Sequence, residues 1–306
     1  MTKFSILITS FNDEEMFENF FDNIEKQTVK PTEVVIADGG SADCSSEVVN
    51  ELAKQYSYSI KFLAGKKRLN IAEGYNAAVK ECRTELMIIM GIGNSYSTNF
   101  CQSLLRYYET HEVDIVYTPI VGINKTKFAR AFNIAFVGGK KGKDFGYASN
   151  RGVLLSKSVF DKVGYFWEHF VYAGEDTEYF IRAEKYGMKS ICDNDATVYW
   201  ETPTTFKEYL KKNKVNAIAD MQCLTNRAIL KHMFIRLAII LGFIVSGFIK
   251  LYAPLLILVA LFALIVCKIK SLNIEAILLR LHFIFLPSYY YIKNRQYFSE
   301  QYKVKL

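Results

Sequence analysis

The chain has 306 residues, of which 51% are hydrophobic and 23% charged, so a disordered or low-complexity protein is excluded. Only 5 prolines and 17 glycines occur, which excludes a collagen-like repeat. The six cysteines contain no Cys-x-x-Cys pair, so the pattern favours reduced thiols over a disulfide framework or structural zinc site. The first residues turn acidic after a short apolar run, which predicts no secretory signal.

The net charge of +7 is unevenly distributed along the chain. From Arg227 onward there are 11 Lys or Arg residues and two acids, whereas residues 1–226 carry a net charge of −2. A slightly acidic body followed by a basic, apolar tail predicts attachment to a membrane with anionic headgroups. The same distribution does not suggest a nucleic-acid partner.

The predicted elements of the body alternate in chain order. Strand-like apolar runs occupy residues 3–9, 32–37, 58–63, 86–90 and 113–118. Segments with helical spacing lie between or after them, at 13–27, 45–56, 71–82 and 98–110. Such alternation predicts an α/β domain, with a mostly parallel sheet and helices on both faces. Ligands of such sheets bind beyond the carboxyl ends of the strands, so polar residues there are the candidates for a site.

Polar residues follow the first two predicted strands directly. Residues 9–14 have the sequence TSFNDE, and residues 38–43 have the sequence DGGSAD. Asp38 could accept hydrogen bonds from ribose hydroxyls or a base N–H, and the glycines permit a tight turn. The alternative is a turn in which Ser41 or Asp43 caps the next helix.

The apolar tail begins with a stretch at 234–267 that contains only two charged residues. A single span needs roughly 20 residues, and Pro254 interrupts helical hydrogen bonding near the middle. We therefore expect a hairpin of two spans with both ends in the cytoplasm, at about 234–250 and 253–268. The segment 274–292 contains an arginine, a histidine and a proline, which favours an interfacial or re-entrant helix. The alternative is a buried helical bundle in a soluble protein.

Four segments in order resemble the family 2 glycosyltransferases, which have the GT-A fold. The segments are TSFNDE at 9–14, DGGSAD at 38–43, EGYNAA at 73–78 and GEDTE at 174–178. The resemblance covers about residues 1–220. It implies a GT-A domain over 1–226, a nucleotide-diphospho-sugar donor, and a membrane-associated region over 227–306. The apolar tail fits the branches of the family that build exopolysaccharides or lipid-linked glycans.

The resemblance also implies roles for individual residues. Contacts to the base, ribose and donor would come from Thr9, Asn12, Glu14, Asp38 and Ser41, with Lys67 or Arg68 nearby. Asp176 would be the general base that deprotonates the acceptor hydroxyl, and Glu175 would position the acceptor or the base. A single displacement with a single base inverts the anomeric carbon. The alternative for this acidic pair is stabilisation of a helix N-terminus by negative charge.

Two further positions resemble the family less clearly. Arg151 precedes the strand-like run GVLLS and could bind a phosphate bidentately, or could be an ordinary surface arginine. Trp200 and Glu201 stand where the family often has a histidine that helps to hold the metal or the diphosphate, so the sequence departs from the family there.

The family's metal-binding Asp-x-Asp is missing. Its place after the fourth strand is taken by the sequence GIGN, which includes Gly91 and Gly93. These residues are poor ligands for the Mg²⁺ or Mn²⁺ that the family usually employs, so the cofactor is undetermined. The glycine backbone could instead approach the diphosphate. A substitute cation could come from Arg151, from Lys67 or Arg68, or from the lysines at 140, 141 and 143. Alternatively, Glu201 could bind the metal in another geometry, or the protein could bind a sugar nucleotide or a partner enzyme without turnover.

The sequence therefore predicts an inverting glycosyltransferase at the cytoplasmic membrane face. The predicted donor is a UDP-sugar, and the predicted acceptor is a hydroxyl of a lipid-linked glycan or a polysaccharide. The alternative is a catalytically degenerate relative that acts as a non-enzymatic partner subunit. A polymerising synthase is disfavoured because no Gln-x-x-Arg-Trp motif occurs.

Overall fold

The computed structural model describes residues 2–137, 148–223, 227–249 and 253–298. The chain forms two compact units. The first contains Met1–Val121, Gly139–Val171 and Glu175–Glu201, and the second contains Gly122–Gly138, Tyr172–Gly174 and Thr202–Leu306. The division into domains at residues 226 and 227 stays a prediction.

A seven-stranded mixed sheet forms the centre of the first unit. In spatial order its strands are Ser59–Leu63 (β3), Glu33–Asp38 (β2), Phe4–Ser10 (β1), Leu86–Met90 (β4), Gly152–Ser156 (β8), Ile115–Tyr117 (β6) and Ser190–Cys192 (β9). β8 runs antiparallel to both of its neighbours, whereas the remaining pairs are parallel. The predicted α/β class is confirmed, and the mostly parallel sheet is mixed because of β8.

The central strands are mostly apolar because both faces of the sheet are covered. Leu7 and Ile89 lie in a core on one face, and Ile6 and Ile88 lie in a core on the other. Successive strand residues point to opposite faces, so an uninterrupted run such as LMIIM needs helices on both sides. The first core is completed by Ile71–Glu81 (α3), Lys157–Val163 (α6) and Glu175–Lys185 (α7). The second is completed by Phe17–Glu25 (α1), Ser45–Leu52 (α2) and Phe100–Thr110 (α4).

A second sheet has three short strands, in the order Asn94–Tyr96 (β5), Val198–Glu201 (β10) and Ile120–Ile123 (β7). β5 and β10 are antiparallel, and Trp200 lies opposite Asn94 in their register. The turn after β4 leads directly into β5, so this pairing brings residues about a hundred positions apart to the end of β4.

The second unit consists mainly of helices, over Lys127–Phe132 (α5), Phe206–Gln222 (α8), Arg227–Ile249 (α9), Ala253–Ile269 (α10) and Ile274–Lys293 (α11). A π-helical segment, Asn133–Val137, follows α5. The Tyr291 hydroxyl donates to Asp220 at 2.8 Å and accepts from Arg236 at 2.9 Å. Polar contacts within apolar surroundings thus connect α8, α9 and α11.

One helix in the described part of the chain is long and apolar enough to cross a membrane. Its 18-residue window, Lys231–Phe248, has a mean hydropathy of 1.6 and is 6% buried within the chain. α10 and α11 satisfy the same criterion only as a pair bent by 117°. The predicted apolar segments fall in α9, α10 and α11, while residues 250–252 between the first two lie outside the described residues. Insertion into a membrane stays a prediction.

Candidate active site

The candidate site lies at the carboxyl edge of the large sheet, within the first unit. The loops that follow β1, β2, β3 and β4 all emerge at this edge because these strands are parallel. β8 is antiparallel, so its first residue, Gly152, lies opposite Met90, the last residue of β4. The residues just before β8 therefore reach the same edge as the residues just after β4.

The loops after β1 and β2 are joined by reciprocal hydrogen bonds. The Asn12 N–H donates to Ser41 Oγ at 2.8 Å, and Asn12 Oδ1 accepts from the Ala42 N–H at 2.9 Å. Glu14 also accepts from the Cys44 N–H at 2.6 Å. Asn12 has a φ of 55°, a left-handed conformation that asparagine adopts more readily than most residues. Three of the predicted site residues, Asn12, Glu14 and Ser41, therefore form one connected rim.

Asp38 is 4% exposed and stabilises the turn that follows it. Its Oδ2 accepts from the N–H groups of Gly40, at 3.0 Å, and Ser41, at 2.9 Å. Its Oδ1 accepts from the Ser41 hydroxyl. Gly40 has a φ of 80°, which only glycine adopts without strain. The turn that we gave as the alternative is present, but the predicted N-cap is wrong, because Cys44 occupies that position before α2 and makes no side-chain cap hydrogen bond. Asp38 acts on the rim through the shape of that turn.

The loop after β3 brings Arg68 to this rim. The Arg68 guanidinium lies 3.2 Å from the centroid of the Phe11 ring and donates to the Gly39 carbonyl at 3.2 Å. The Lys67 side chain is 74% exposed, and its Nζ lies 3.3 Å from Glu73. Of the two predicted cations, Arg68 is therefore the one packed against the loops after β1 and β2.

A tight turn after β4 contains both predicted glycines. Gly93 has a φ of 80°, and the Asn94 side-chain amide donates to the Gly91 carbonyl at 3.2 Å. The Tyr96 hydroxyl accepts from the Gly91 N–H at 2.8 Å and donates to the Arg151 carbonyl at 2.9 Å. The turn is thereby connected to the segment before β8.

Asp176 is connected to Arg151 through a serine. The Ser149 hydroxyl donates to Asp176 Oδ2 at 3.0 Å and accepts from Arg151 Nη1 at 3.0 Å. Asp176 Oδ1 accepts from the Thr177 N–H at 2.7 Å, as expected for an acid in the first turn of a helix. The Arg151 guanidinium also lies over the Trp200 ring, 4.7 Å from its centroid. Arg151 is thus fixed by specific contacts and is not an ordinary surface arginine.

Glu175 is buried beside this group, with 6% of its surface exposed. Burial raises the pKa of its carboxyl, and the negative charge of Asp176 raises it further, while the positive charge of Arg151 opposes the shift. Adjacent acids in the sequence thus have different surroundings: Asp176 is hydrogen-bonded at the start of α7, and Glu175 is enclosed.

Tyr75, on α3, lies near both the end of β4 and the residues that precede β8. Its hydroxyl is 3.3 Å from the Met90 carbonyl and 3.4 Å from the Asn150 carbonyl, and the side chain is buried. The preceding residue, Gly74, packs so closely on β1 that a Cβ there would lie 2.8 Å from the Thr9 side chain. α3 therefore extends from Thr9 of β1 to the residues before β8.

The structure thus brings together ten of the twelve predicted site residues into two connected groups. The rim comprises Asn12, Glu14, Asp38, Ser41 and Arg68, with Thr9 beneath it; the acid group comprises Gly91, Arg151, Glu175 and Asp176. Gly93 lies in the same turn as Gly91, and Lys67 points to solvent. The lysines at 140, 141 and 143 lie outside the described residues. Sequence reasoning missed Ser149, Tyr75 and Tyr96.

The residues at the turn after β4 do not fit a divalent metal ion. The turn contributes no carboxylate, and the Gly91 carbonyl accepts from the Asn94 amide. Within the described ranges, no group of three or more His, Cys, Asp or Glu residues is arranged to bind a metal. A Cβ added to Gly91 would lie 2.5 Å from Asn94 Nδ2, so even a carboxylate introduced there would require Asn94 to move.

Comparison with known proteins identifies the family. Residues 5–172, more than half of the chain, match the family model described as glycosyl transferase family 2. The chain therefore belongs to glycosyl transferase family 2, and the predicted family is confirmed.

Among its relatives is a Methanococcus voltae protein, dolichyl N-acetyl-alpha-D-glucosaminyl phosphate 3-beta-D-2,3-diacetamido-2,3-dideoxy-beta-D-glucuronosyltransferase. It is 25% identical over 229 residues, which cover 69% of this chain and 71% of the relative. A teichoic acid poly(glycerol phosphate) polymerase from Staphylococcus epidermidis is 26% identical over 103 residues. Those residues cover 33% of this chain but only 14% of the relative's length, well under two thirds.

Solved structures show the same fold. A mannosyltransferase from Pyrobaculum calidifontis, in complex with GDP-Man and Mn²⁺, is similar with a TM-score of 0.59 and 16% identity. The similarity covers 98% of this chain and 84% of that one. S. aureus TarS residues 1–349, in complex with UDP, is similar with a TM-score of 0.54 and 14% identity, covering 72% of this chain and 66% of that one. The predicted GT-A type of fold is confirmed.

Proposed function

We propose that the protein is an inverting glycosyltransferase that moves a sugar from a nucleoside diphosphate, of the UDP class, to an acceptor hydroxyl. The observation that carries this proposal is the hydrogen bond from Ser149 to Asp176, which orients a carboxylate at the same sheet edge as the rim formed by the loops after β1 and β2. Family membership supports a nucleotide-sugar donor.

The reaction is a single displacement. Asp176 removes the proton of the acceptor hydroxyl as its oxygen forms a bond to the anomeric carbon, and the bond from that carbon to the donor's phosphate oxygen breaks. The nucleoside diphosphate leaves with the electron pair of that bond. Because the attacking oxygen enters opposite the leaving group, the anomeric configuration is inverted. The rim binds the base and ribose, and Glu175 positions the acceptor beside Asp176.

The proposed acceptor is a lipid-linked or polysaccharide hydroxyl at the cytoplasmic face of a membrane. The name of the M. voltae relative includes a dolichyl phosphate sugar, which is a lipid-linked acceptor of that protein. The apolar helix α9 and the basic charge of residues 227–306 support a membrane location.

The test is release of nucleoside diphosphate from a panel of UDP- and GDP-sugars by the purified full chain in the presence of lipid acceptors. Asp176→Asn removes the base without changing side-chain size, so we expect kcat to fall by about 10²- to 10⁴-fold. Asp161→Asn, on the exposed surface of α6, is the matched control and should leave kcat unchanged. A turnover unaffected by Asp176→Asn would contradict the assignment, and a product with the donor's anomeric configuration would contradict inversion.

A second candidate function is that of a catalytically degenerate partner subunit. It is favoured by one observation, the lack of carboxylates in the turn from Gly91 to Asn94. It predicts no turnover with any donor and stable co-purification with another transferase, so the same donor panel distinguishes the two candidates.

A further inference from the structure

The turn that replaces the family's metal-binding motif lies beside a fixed cation. Asn94 of this turn is opposite Trp200 in the register of β5 and β10, and Trp200 is the residue on which the Arg151 guanidinium lies. Both positions at which the sequence departs from the family, the turn after β4 and Trp200, therefore adjoin Arg151.

The contacts of Arg151 orient its guanidinium before any ligand binds. The backbone carbonyl accepts from Tyr96, the planar group lies on the Trp200 ring, and Nη1 donates to Ser149. A guanidinium has five N–H donors in a fixed plane, and among the described residues Ser149 accepts from one of them. An arginine that is oriented in this way loses little side-chain entropy when it binds an anion.

The other two described cations near the site have different surroundings. Arg68 is packed on Phe11 and bonded to Gly39, on the rim that we assign to the nucleoside. Lys67 is exposed and lies next to Glu73. Of these three described cations, Arg151 is the one that adjoins both the end of β4 and Asp176, where the bond to the leaving diphosphate would break.

We propose that Arg151, supported by Trp200, binds the donor's diphosphate and takes the place of the divalent ion, so that donor binding needs no metal. This inference rests on the proposed function and adds to it the way in which the leaving group is stabilised. Guanidinium and phosphate form two parallel charge-assisted hydrogen bonds, which suits an anion whose charge grows as the sugar departs.

The test is calorimetric titration of the full-length protein with UDP and GDP, each in EDTA and in Mn²⁺. For the wild type we expect the Kd of the preferred nucleotide to differ by less than about twofold between EDTA and Mn²⁺. The reason is that the turn after β4 offers no carboxylate to bind the metal. Arg151→Met should weaken binding of that diphosphate in EDTA roughly 10- to 100-fold, the range expected for a lost charged hydrogen bond. Binding of the corresponding nucleoside should be unchanged, because it lacks the phosphates.

Arg106→Met is the matched control, since Arg106 is a half-exposed arginine on α4 whose partner is Asp195. It makes the same change in net charge and should leave nucleotide binding unchanged. If Arg151→Met does not fold, the Arg151→Lys variant and the metal dependence of the wild type still test the role of Arg151. The lysine variant keeps the charge but loses the bidentate geometry. It should bind the nucleoside diphosphate several-fold more weakly, because one charge-assisted hydrogen bond is lost.

The two proposals fail in different ways. Wild-type binding that appears only with Mn²⁺, or Arg151→Met binding as tightly as wild type in EDTA, would overturn the role of Arg151 and leave the transferase proposal standing. An absence of binding to either nucleotide under any condition would overturn both.

Discussion

Glu175 and Asp176 are neighbours in the sequence with unlike environments, and this difference has a consequence for stability. An ordinary glutamate has a pKa of 4.5, whereas burial and the charge of Asp176 raise that of Glu175 to about 8. The pKa of Glu175 is higher in the folded state than in the unfolded state. Its carboxyl therefore makes its full contribution to the free energy of unfolding below pH 4.5. That contribution is lost as the pH rises towards 8.

Glu175→Gln removes this titration and keeps the shape of the side chain. We expect its Tm to exceed that of the wild type by a margin that is small at pH 5 and grows up to pH 9. The measurement is thermal unfolding across that range. Glu184→Gln makes the same chemical change at an exposed site on the same helix and is the matched control. An equal margin for Glu175→Gln at pH 5 and pH 9 would show that the buried carboxyl is not neutral.

At the scale of single elements, α3 is the helix that joins the two groups of site residues, and its first turn is closed by a capping box. Asn70 Oδ1 accepts from the Glu73 N–H at 2.9 Å, and Glu73 accepts from the Asn70 N–H at 2.8 Å. Asn70→Ala should lower the free energy of unfolding by about 1 kcal/mol through loss of the cap. Urea denaturation measures this change.

Asn99→Ala provides the control for that substitution. Asn99 occupies the same position before α4, but its side chain makes no cap hydrogen bond. Both side-chain amides also donate once to a distant backbone carbonyl, Asn70 to Glu168 at 2.9 Å and Asn99 to Asp195 at 3.0 Å. The difference between the two variants therefore isolates the cap, and equal losses would mean that the cap adds nothing.

A helix or strand can be predicted from sequence when its own residues determine it. It cannot be predicted in this way when its partners in the fold determine it. β1, β2 and β4 each contain a continuous apolar run, and α3 has both a helical spacing and a cap, so local sequence was sufficient for them. β5, β7 and β9 have only three or four residues and are strands because of their partners, so no local pattern indicated them. The antiparallel direction of β8 is likewise set by its neighbours β4 and β6.

The same reasoning separates the predicted site residues from those that were missed. Asn12, Asp38 and Ser41 follow strands directly and belong to a motif, so their positions could be inferred. Tyr96 lies on β5, which is a strand because it pairs with β10, so local sequence gave no signal for its hydrogen bond to the Arg151 carbonyl. The signal for Ser149 was weak: it is the first of three polar residues before GVLLS, and its hydrogen bond to Asp176 joins segments 27 positions apart.

At the scale of the whole molecule, the exposed apolar side chains of α9 favour insertion into a membrane over binding at its surface. Leu241 and Ile244 of α9 are 62% and 52% exposed within the chain, although both are strongly apolar. Exposure of this kind is unfavourable in water and favourable in lipid. Basic residues near the ends of the segment would add about 1 kcal/mol each where they meet anionic headgroups.

A spanning helix and a surface-bound helix respond differently to salt and to charge. We expect the full chain to float with liposomes that contain phosphatidylglycerol and to stay bound after a wash at high salt and pH 11. Leu241→Asp places a charge at the middle of the 18-residue window, at a cost of about 3 kcal/mol in the bilayer centre. It should therefore reduce the wash-resistant fraction.

Tyr186→Asp adds the same charge at an exposed site just after α7, in the first unit, and should leave flotation unchanged. Release of the wild type by salt alone would mean that headgroup charge, and not insertion, accounts for binding. In that case α9 would need a protein partner to cover it. Retention after the wash would favour a site whose lipid-linked acceptor is presented by the same bilayer that anchors the chain.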